Sequence, residues 1–98
     1  MIKKLAKKQS KELQYIPTYE DLDTYWATFD LGCVAALVCN NFKIISLKKE
    51  NPKKVQFIFL KEVGIEKVIN DYWANTLEVK AREFFDATKM IKNRLFSE

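Results

Sequence analysis

Residues 43–61 read KIISLKKENPKKVQFIFLK, and this stretch decides the fold. Two runs rich in β-branched and aromatic residues flank a turn at Asn51-Pro52, which is typical of a β-hairpin. In the second run Val55, Phe57 and Phe59 share one side of the strand, and that side is the better core candidate. Lysines crowd the turn. The stretch therefore predicts a hairpin with an apolar body and a positively charged tip.

Further strand and helix patterns surround the hairpin. Tyr25–Phe29 is rich in strand-favouring residues, and Asp30 stands where a side chain would cap a following helix. That helix, Leu31–Asn40, is apolar nearly all round, so we expect it to be buried on most sides. Two more segments have apolar residues at helical spacing, one opening near Gly64 and one spanning about Lys80–Phe96.

These elements predict one α+β domain over residues 17–98. We expect a small antiparallel sheet packed on one face by three helices, because so small a sheet is unstable without cover. Its strands are Tyr25–Phe29, Lys43–Lys48 and Val55–Lys61. Residues 1–16 precede the domain as a basic arm or amphipathic helix. The chain has 98 residues, 48% of them hydrophobic, with two glycines and two prolines, which suits a single packed core.

The composition argues against several classes of function. The chain has no histidine, so the commonest general base and every histidine-centred triad are missing. Cys33 and Cys39 lie six positions apart on one predicted helix, about 9 Å along its axis, whereas a disulfide needs Cα atoms within about 7 Å. We therefore expect free thiols, no metal site, no cofactor, no small-molecule substrate and no enzymatic activity.

The sequence also bears on location. No apolar run approaches the roughly 20 residues that span a bilayer, and the N-terminus lacks the apolar core of a secretory signal. The predicted arm has only a thin apolar face, so we expect no membrane attachment. These features favour a soluble, cytoplasmic protein.

Short motifs along the chain resemble those of one protein family. They are Phe29-Asp30-Leu31-Gly32, Ala35-Ala36-Leu37, Phe42, Asn51-Pro52-Lys53-Lys54-Val55, Phe57-Ile58-Phe59, Tyr72-Trp73 and Phe84-Phe85. In their spacing the chain is similar to a small family of prokaryotic and phage proteins defined only as a domain of unknown function. The resemblance covers about residues 25–96. It implies a self-standing, compact domain, and it carries over no activity.

Two groups of lysines concentrate positive charge at the hairpin tip and on the N-terminal arm. They are Lys48, Lys49, Lys53 and Lys54 (the tip lysines) and Lys3, Lys4, Lys7, Lys8 and Lys11 on the arm. A basic hairpin beside a helix is how wing-like modules hold a nucleic-acid backbone, and arms add contacts. Because lysine outnumbers arginine, the pattern favours nonspecific phosphate attraction over base reading, in DNA or RNA. Lysines at a hairpin edge also discourage aggregation, which is the competing explanation.

Aromatic and apolar residues suggest two further kinds of contact. The aromatic residues available for stacking on bases are those near the arm and the first strand: Tyr15, Tyr19, Tyr25 and Trp26. The semi-apolar outer face of the hairpin predicts an interface, as in a two-fold homodimer, formed by Ile44, Ile58 and Leu60. The alternative function is therefore a protein–protein adaptor or assembly domain whose lysines serve solubility.

Overall fold

The computed structural model describes residues 23–51 and 53–97, which form three strands and three helices in a small α+β fold, as predicted. These residues fall into two compact units that are each discontinuous in sequence. The sheet unit contains the described residues of 23–29 and 44–61, and the helical unit contains those of 30–43 and 62–97. The predicted basic arm, residues 1–16, lies outside the described residues.

The sheet unit is a three-stranded antiparallel sheet. Its strands are β1 (Tyr25–Thr28), β2 (Ile44–Lys48) and β3 (Gln56–Leu60), each within a residue or two of the predicted bounds. Their order is β1-β3-β2, so β3 is the central strand and pairs with both neighbours. The predicted hairpin is the β2–β3 pair, and β1 pairs with the other edge of β3.

The central strand is buried on both faces. Phe57, Ile58 and Phe59 are each 0% exposed. Because successive residues of a strand point to opposite faces, three consecutive buried residues mean that neither face of β3 is open to solvent there. Trp26 of β1 is the direct partner of Phe59 across the ladder, and their ring centroids lie 6.2 Å apart. The expectation that Ile58 belongs to an outer, accessible face is therefore wrong.

A β-bulge in β2 changes which side chains share a face. Ile44 pairs with Phe59 and Ser46 pairs with Ile58, so Ile45 is an extra residue in the ladder. Directly opposed residues point to the same face, which puts Ile44 with Phe59 and not with Ile58. The predicted grouping of Ile44, Ile58 and Leu60 on one face is thus also wrong. Ile45 is 46% exposed.

The helical unit contains α1 (Leu31–Cys39), α2 (Ile65–Trp73) and α3 (Ala81–Ser97), and α1 packs against both of the others. The α1 helix is the one predicted to be buried nearly all round. Its residues 33–37 are at most 1% exposed, which confirms that prediction. The buried side chains of α1 therefore form a large part of the core of this unit.

Asparagine ends two of the helices in the same way. After α1, Asn41 takes a left-handed conformation (φ 70°), and after α2, Asn75 does so (φ 61°). In each case the next residue donates its N–H back into the last turn, from Phe42 to the Leu37 carbonyl and from Thr76 to the Asp71 carbonyl. This is the Schellman arrangement, which asparagine tolerates better than most residues. The helix predicted over Leu31–Asn40 therefore ends within one residue of its expected position.

Asp30 caps α1 and also holds α2. Its Oδ1 accepts a 2.7 Å hydrogen bond from the Cys33 N–H and a 3.1 Å hydrogen bond from the Tyr72 hydroxyl. Burial, followed by the hydrogen bond and charge of Asp30, raises the pKa of Tyr72. Gly32 leaves room for this contact, since a Cβ there would overlap the Tyr72 hydroxyl. One carboxylate thus serves a backbone cap and a tertiary contact.

We expect Asp30→Ala to lower the free energy of unfolding by about 1–2 kcal/mol, the range for loss of an N-cap. Asp30→Asn is the matched control, because an asparagine side chain caps about as well and can still accept from the tyrosine. Urea unfolding of the three proteins measures the difference. Equal losses in both variants would contradict the capping role, since they would trace the stability to the charge alone.

Candidate nucleic-acid interface

The loop between β2 and β3 carries the lysines on which the functional interpretation depends. This hairpin loop, residues 49–55, joins Lys48 of β2 to Gln56 of β3, which pair directly across the ladder. Asn51 organises it: its carbonyl accepts the Lys54 N–H at 2.9 Å, and its side-chain Oδ1 accepts the Lys53 N–H at 3.0 Å. An asparagine that accepts from the backbone two residues on is a turn-forming device. The loop is therefore closed by its own hydrogen bonds.

The four tip lysines are not equivalent. Lys48 Nζ lies 3.7 Å from Glu50 Oε1, and its side chain is only 20% exposed. Lys49 is half-buried, whereas Lys53 and Lys54 are exposed. An ion pair satisfies part of the charge of Lys48, so its pull on a distant anion is weaker. The accessible positive charge of the tip is thus concentrated on Lys53 and Lys54.

An exposed aromatic ring stands beside one of these lysines. Phe29 follows the last residue of β1 and is 48% exposed. The Lys54 ammonium lies 5.3 Å from the centroid of its ring, within the range of a cation–π contact. The ring and the ammonium border an open cleft of about 140 Å³, the tip cleft, lined by Phe29, Lys48, Glu50, Asn51, Lys54 and Gln56.

Phe29 is the site residue that sequence reasoning missed. The sequence predicts Phe29 as the last residue of the strand Tyr25–Phe29, whereas the structure ends β1 at Thr28, so that Phe29 leaves the ladder. Thr28 pairs with Phe57, which directs the end of β1 toward the start of β3 and therefore toward the hairpin loop. The signal was the antiparallel pairing of β1 with β3, which the strand patterns alone do not reveal.

The other predicted site residues have different outcomes. The arm lysines Lys3, Lys4, Lys7, Lys8 and Lys11 lie outside the described residues, as do Tyr15 and Tyr19. Of the predicted interface residues, Ile58 is completely buried, Ile44 is half-buried and Leu60 is 41% exposed. Tyr25 and Trp26 are half-buried within β1. The outer face of the hairpin is therefore not the continuous apolar surface that the sequence suggested.

The cysteines carry no sign of activation. Both are free; Cys33 is buried and Cys39 half-buried. Burial, with a smaller effect of the Asp30 carboxylate, raises the pKa of the Cys33 thiol to about 11. Burial and the charge of Glu83 also raise the pKa of Cys39. A raised pKa disfavours the thiolate, which is the form that attacks electrophiles and binds metals.

Two features are absent from residues 23–51 and 53–97. Within these residues, no group of three or more histidine, cysteine, aspartate and glutamate side chains lies together as metal ligands would. No helix in this part of the chain is long and apolar enough to cross a membrane.

The part of the chain that the structure describes matches a known sequence family. Residues 23–97 match the family described as "Domain of unknown function (DUF5659)", and the chain belongs to that family. The match spans all three strands and all three helices, and it begins just before β1. It confirms the resemblance drawn from the motifs. Comparisons with curated proteins and with solved structures gave no significant match.

Proposed function

We propose that this protein is a non-enzymatic binding module that attaches to the phosphates of nucleic acid through its hairpin loop. The observation that supports this best is the position of Lys53 and Lys54. Both side chains are exposed on a loop that Asn51 closes, and the nearby acid Glu50 is paired with Lys48. Two cations are thereby presented together at the end of a hairpin, and a polyanion is the ligand that meets both at once.

The chemistry of the loop sets the strength of such binding. Lysine offers a hydrated point charge without the planar fork with which arginine reads guanine or grips phosphate bidentately. A contact of this kind is nonspecific, with dissociation constants of about 10⁻⁴–10⁻⁶ M at physiological salt. The arm lysines would add phosphate contacts of the same kind. The proposal implies a cytoplasmic location, where nucleic acid is available.

A salt titration of the full chain tests the proposal. Binding of a fluorescent oligonucleotide, followed by anisotropy, is expected to weaken steadily as salt rises. For two to four phosphate contacts, the log–log slope should lie between about −1.4 and −3.6, from about 0.7 per contact on single strands and 0.9 on duplex. Absence of binding to both single and double strands at the lowest salt would contradict the proposal.

A second candidate function, a protein–protein adaptor or homodimeric assembly domain, is favoured by exposed aromatic residues on α3. Phe85 is 60% and Phe96 is 89% exposed. Their spacing puts them on one side of the helix, and the Lys89 ammonium lies 5.3 Å from the centroid of the Phe85 ring. Sedimentation of the same preparation distinguishes the two functions. A dimer that persists in high salt, without retention on nucleic acid, would favour the adaptor.

A further inference from the structure

The geometry points to single-stranded nucleic acid as the ligand of the tip cleft, with an unpaired base stacked on the exposed ring of Phe29 and the adjacent phosphates held by Lys53 and Lys54. This inference rests on the proposed function and narrows its ligand class. It depends on Phe29, which none of the charge considerations above requires.

The size and lining of the cleft limit what it can hold. At about 140 Å³ it is well below the roughly 300–1,000 Å³ of sites that enclose a whole small molecule. It is open to solvent, and its lining includes the Phe29 ring, Lys54 and the Glu50 carboxylate, whose charge is paired with Lys48. It can therefore receive one flat group of a longer ligand. The side-chain amide of Gln56 lines the same cleft and can donate to or accept from the edge of a base.

The contact between Lys54 and Phe29 explains why a single strand would satisfy this site best. In the free protein the ammonium lies over the ring, 5.3 Å from its centroid. A single strand brings a phosphate for the ammonium and a π-face for the ring, so each partner exchanges a weak contact for a stronger one. Bases in a duplex are already stacked, and unpairing one to reach Phe29 would cost free energy.

Pure electrostatics and stacking predict opposite preferences. A duplex has the higher charge density and loses more counterions per contact, so lysines alone would bind it at least as tightly as a single strand. Stacking on Phe29 would reverse this order of affinities, because the bases of a single strand are free to stack on the ring. At equal salt, we expect the full chain to bind a short oligothymidine more tightly than a duplex of the same length.

An abasic oligonucleotide isolates the contribution of the ring, because it keeps the phosphates and lacks the bases. The unmodified protein is expected to bind oligothymidine about fivefold to a hundredfold more tightly than the abasic strand, the range for one stacked base. Phe29→Ala should remove this difference, because the variant lacks the ring on which a base would stack. Phe29→Trp should retain it, since indole also offers a stacking face.

The outcomes separate this inference from the proposed function. Salt-sensitive binding with equal affinities for oligothymidine and the abasic strand would overturn the stacking and leave the phosphate-binding function in place. No binding of any strand at low salt would overturn both. The comparison of the two strands on the unmodified protein needs no variant, so it decides whether a base is stacked even if Phe29→Ala impairs folding. Phe29→Leu, which keeps an apolar side chain without a ring, then tests whether the stacking is on Phe29. Circular dichroism of each variant is the check on its fold.

Discussion

Ile58→Ala is expected to lower the free energy of unfolding by about 2–5 kcal/mol, the range for truncating a buried isoleucine to alanine. Ile58 is 0% exposed at the centre of β3, between two other completely buried side chains. Its removal leaves a cavity that the flanking strands can close only in part, because both are tied to β3 by backbone pairing. Urea unfolding followed by circular dichroism measures the loss.

Ile45→Ala is the matched control for this prediction. Ile45 is also an isoleucine of the sheet, but it sits in the β2 bulge and is 46% exposed. We expect it to cost about 1 kcal/mol or less, mostly from strand propensity. Ile58→Val, expected to cost about 0.5–1.5 kcal/mol, gives a measurable value if the alanine variant is too unstable to study.

The Ile58 variants also test whether Ile58 is a core residue and not part of the predicted interface. A buried core residue alters stability without altering association, so the sedimentation coefficient of the Ile58 variants should equal that of the unmodified protein. If Ile58→Ala instead left the unfolding free energy within about 0.5 kcal/mol of its original value, the burial of this side chain would be refuted.

The secondary structure was largely predictable because its determinants are local. A run rich in β-branched and aromatic residues marked β3, and Asp30 marked the start of α1, each through chemistry within a few residues. The strand order β1-β3-β2 and the bulge at Ile45 were not predictable in this way. They depend on which strands meet and in which register, and a shift of one residue moves a side chain to the opposite face. The predicted face of Ile44 is wrong for this reason, whereas Ile58 is buried because both faces of β3 are covered.

In the candidate site, too, some features follow from the local sequence and others depend on how the strands pair. The tip lysines were visible in the sequence because a charged turn between two apolar strands needs no tertiary information. The pairing of Lys48 with Glu50 is also local, since it joins residues only two apart in the sequence. Phe29 was not visible in this way, because it reaches the hairpin loop only through the pairing of β1 with β3. The chemistry of the loop is local, and the ring beside it is a product of the fold.

The double charge reversal Lys53→Glu and Lys54→Glu is expected to weaken binding to a single-stranded oligonucleotide by about a hundredfold at roughly 0.1 M salt. Each phosphate contact on a single strand releases about 0.7 of a counterion, which over the decade from 1 M to 0.1 M is worth about a factor of five. Two contacts are lost, and two carboxylates then repel the strand. The log–log salt slope should also become shallower by about 1.4, from about 0.7 per contact.

A second double reversal, Lys80→Glu and Lys92→Glu, controls for total charge. Each reversal removes two charge units, so both double variants bring the net charge from +4 to zero. Lys80 and Lys92 are exposed on the helical unit, outside the hairpin loop. If affinity depended only on overall charge, the two variants would weaken equally, and the hairpin loop would lose its assigned role. A large loss for the loop variant with a small one for its control would instead assign the binding to the two exposed lysines whose backbone N–H groups Asn51 accepts.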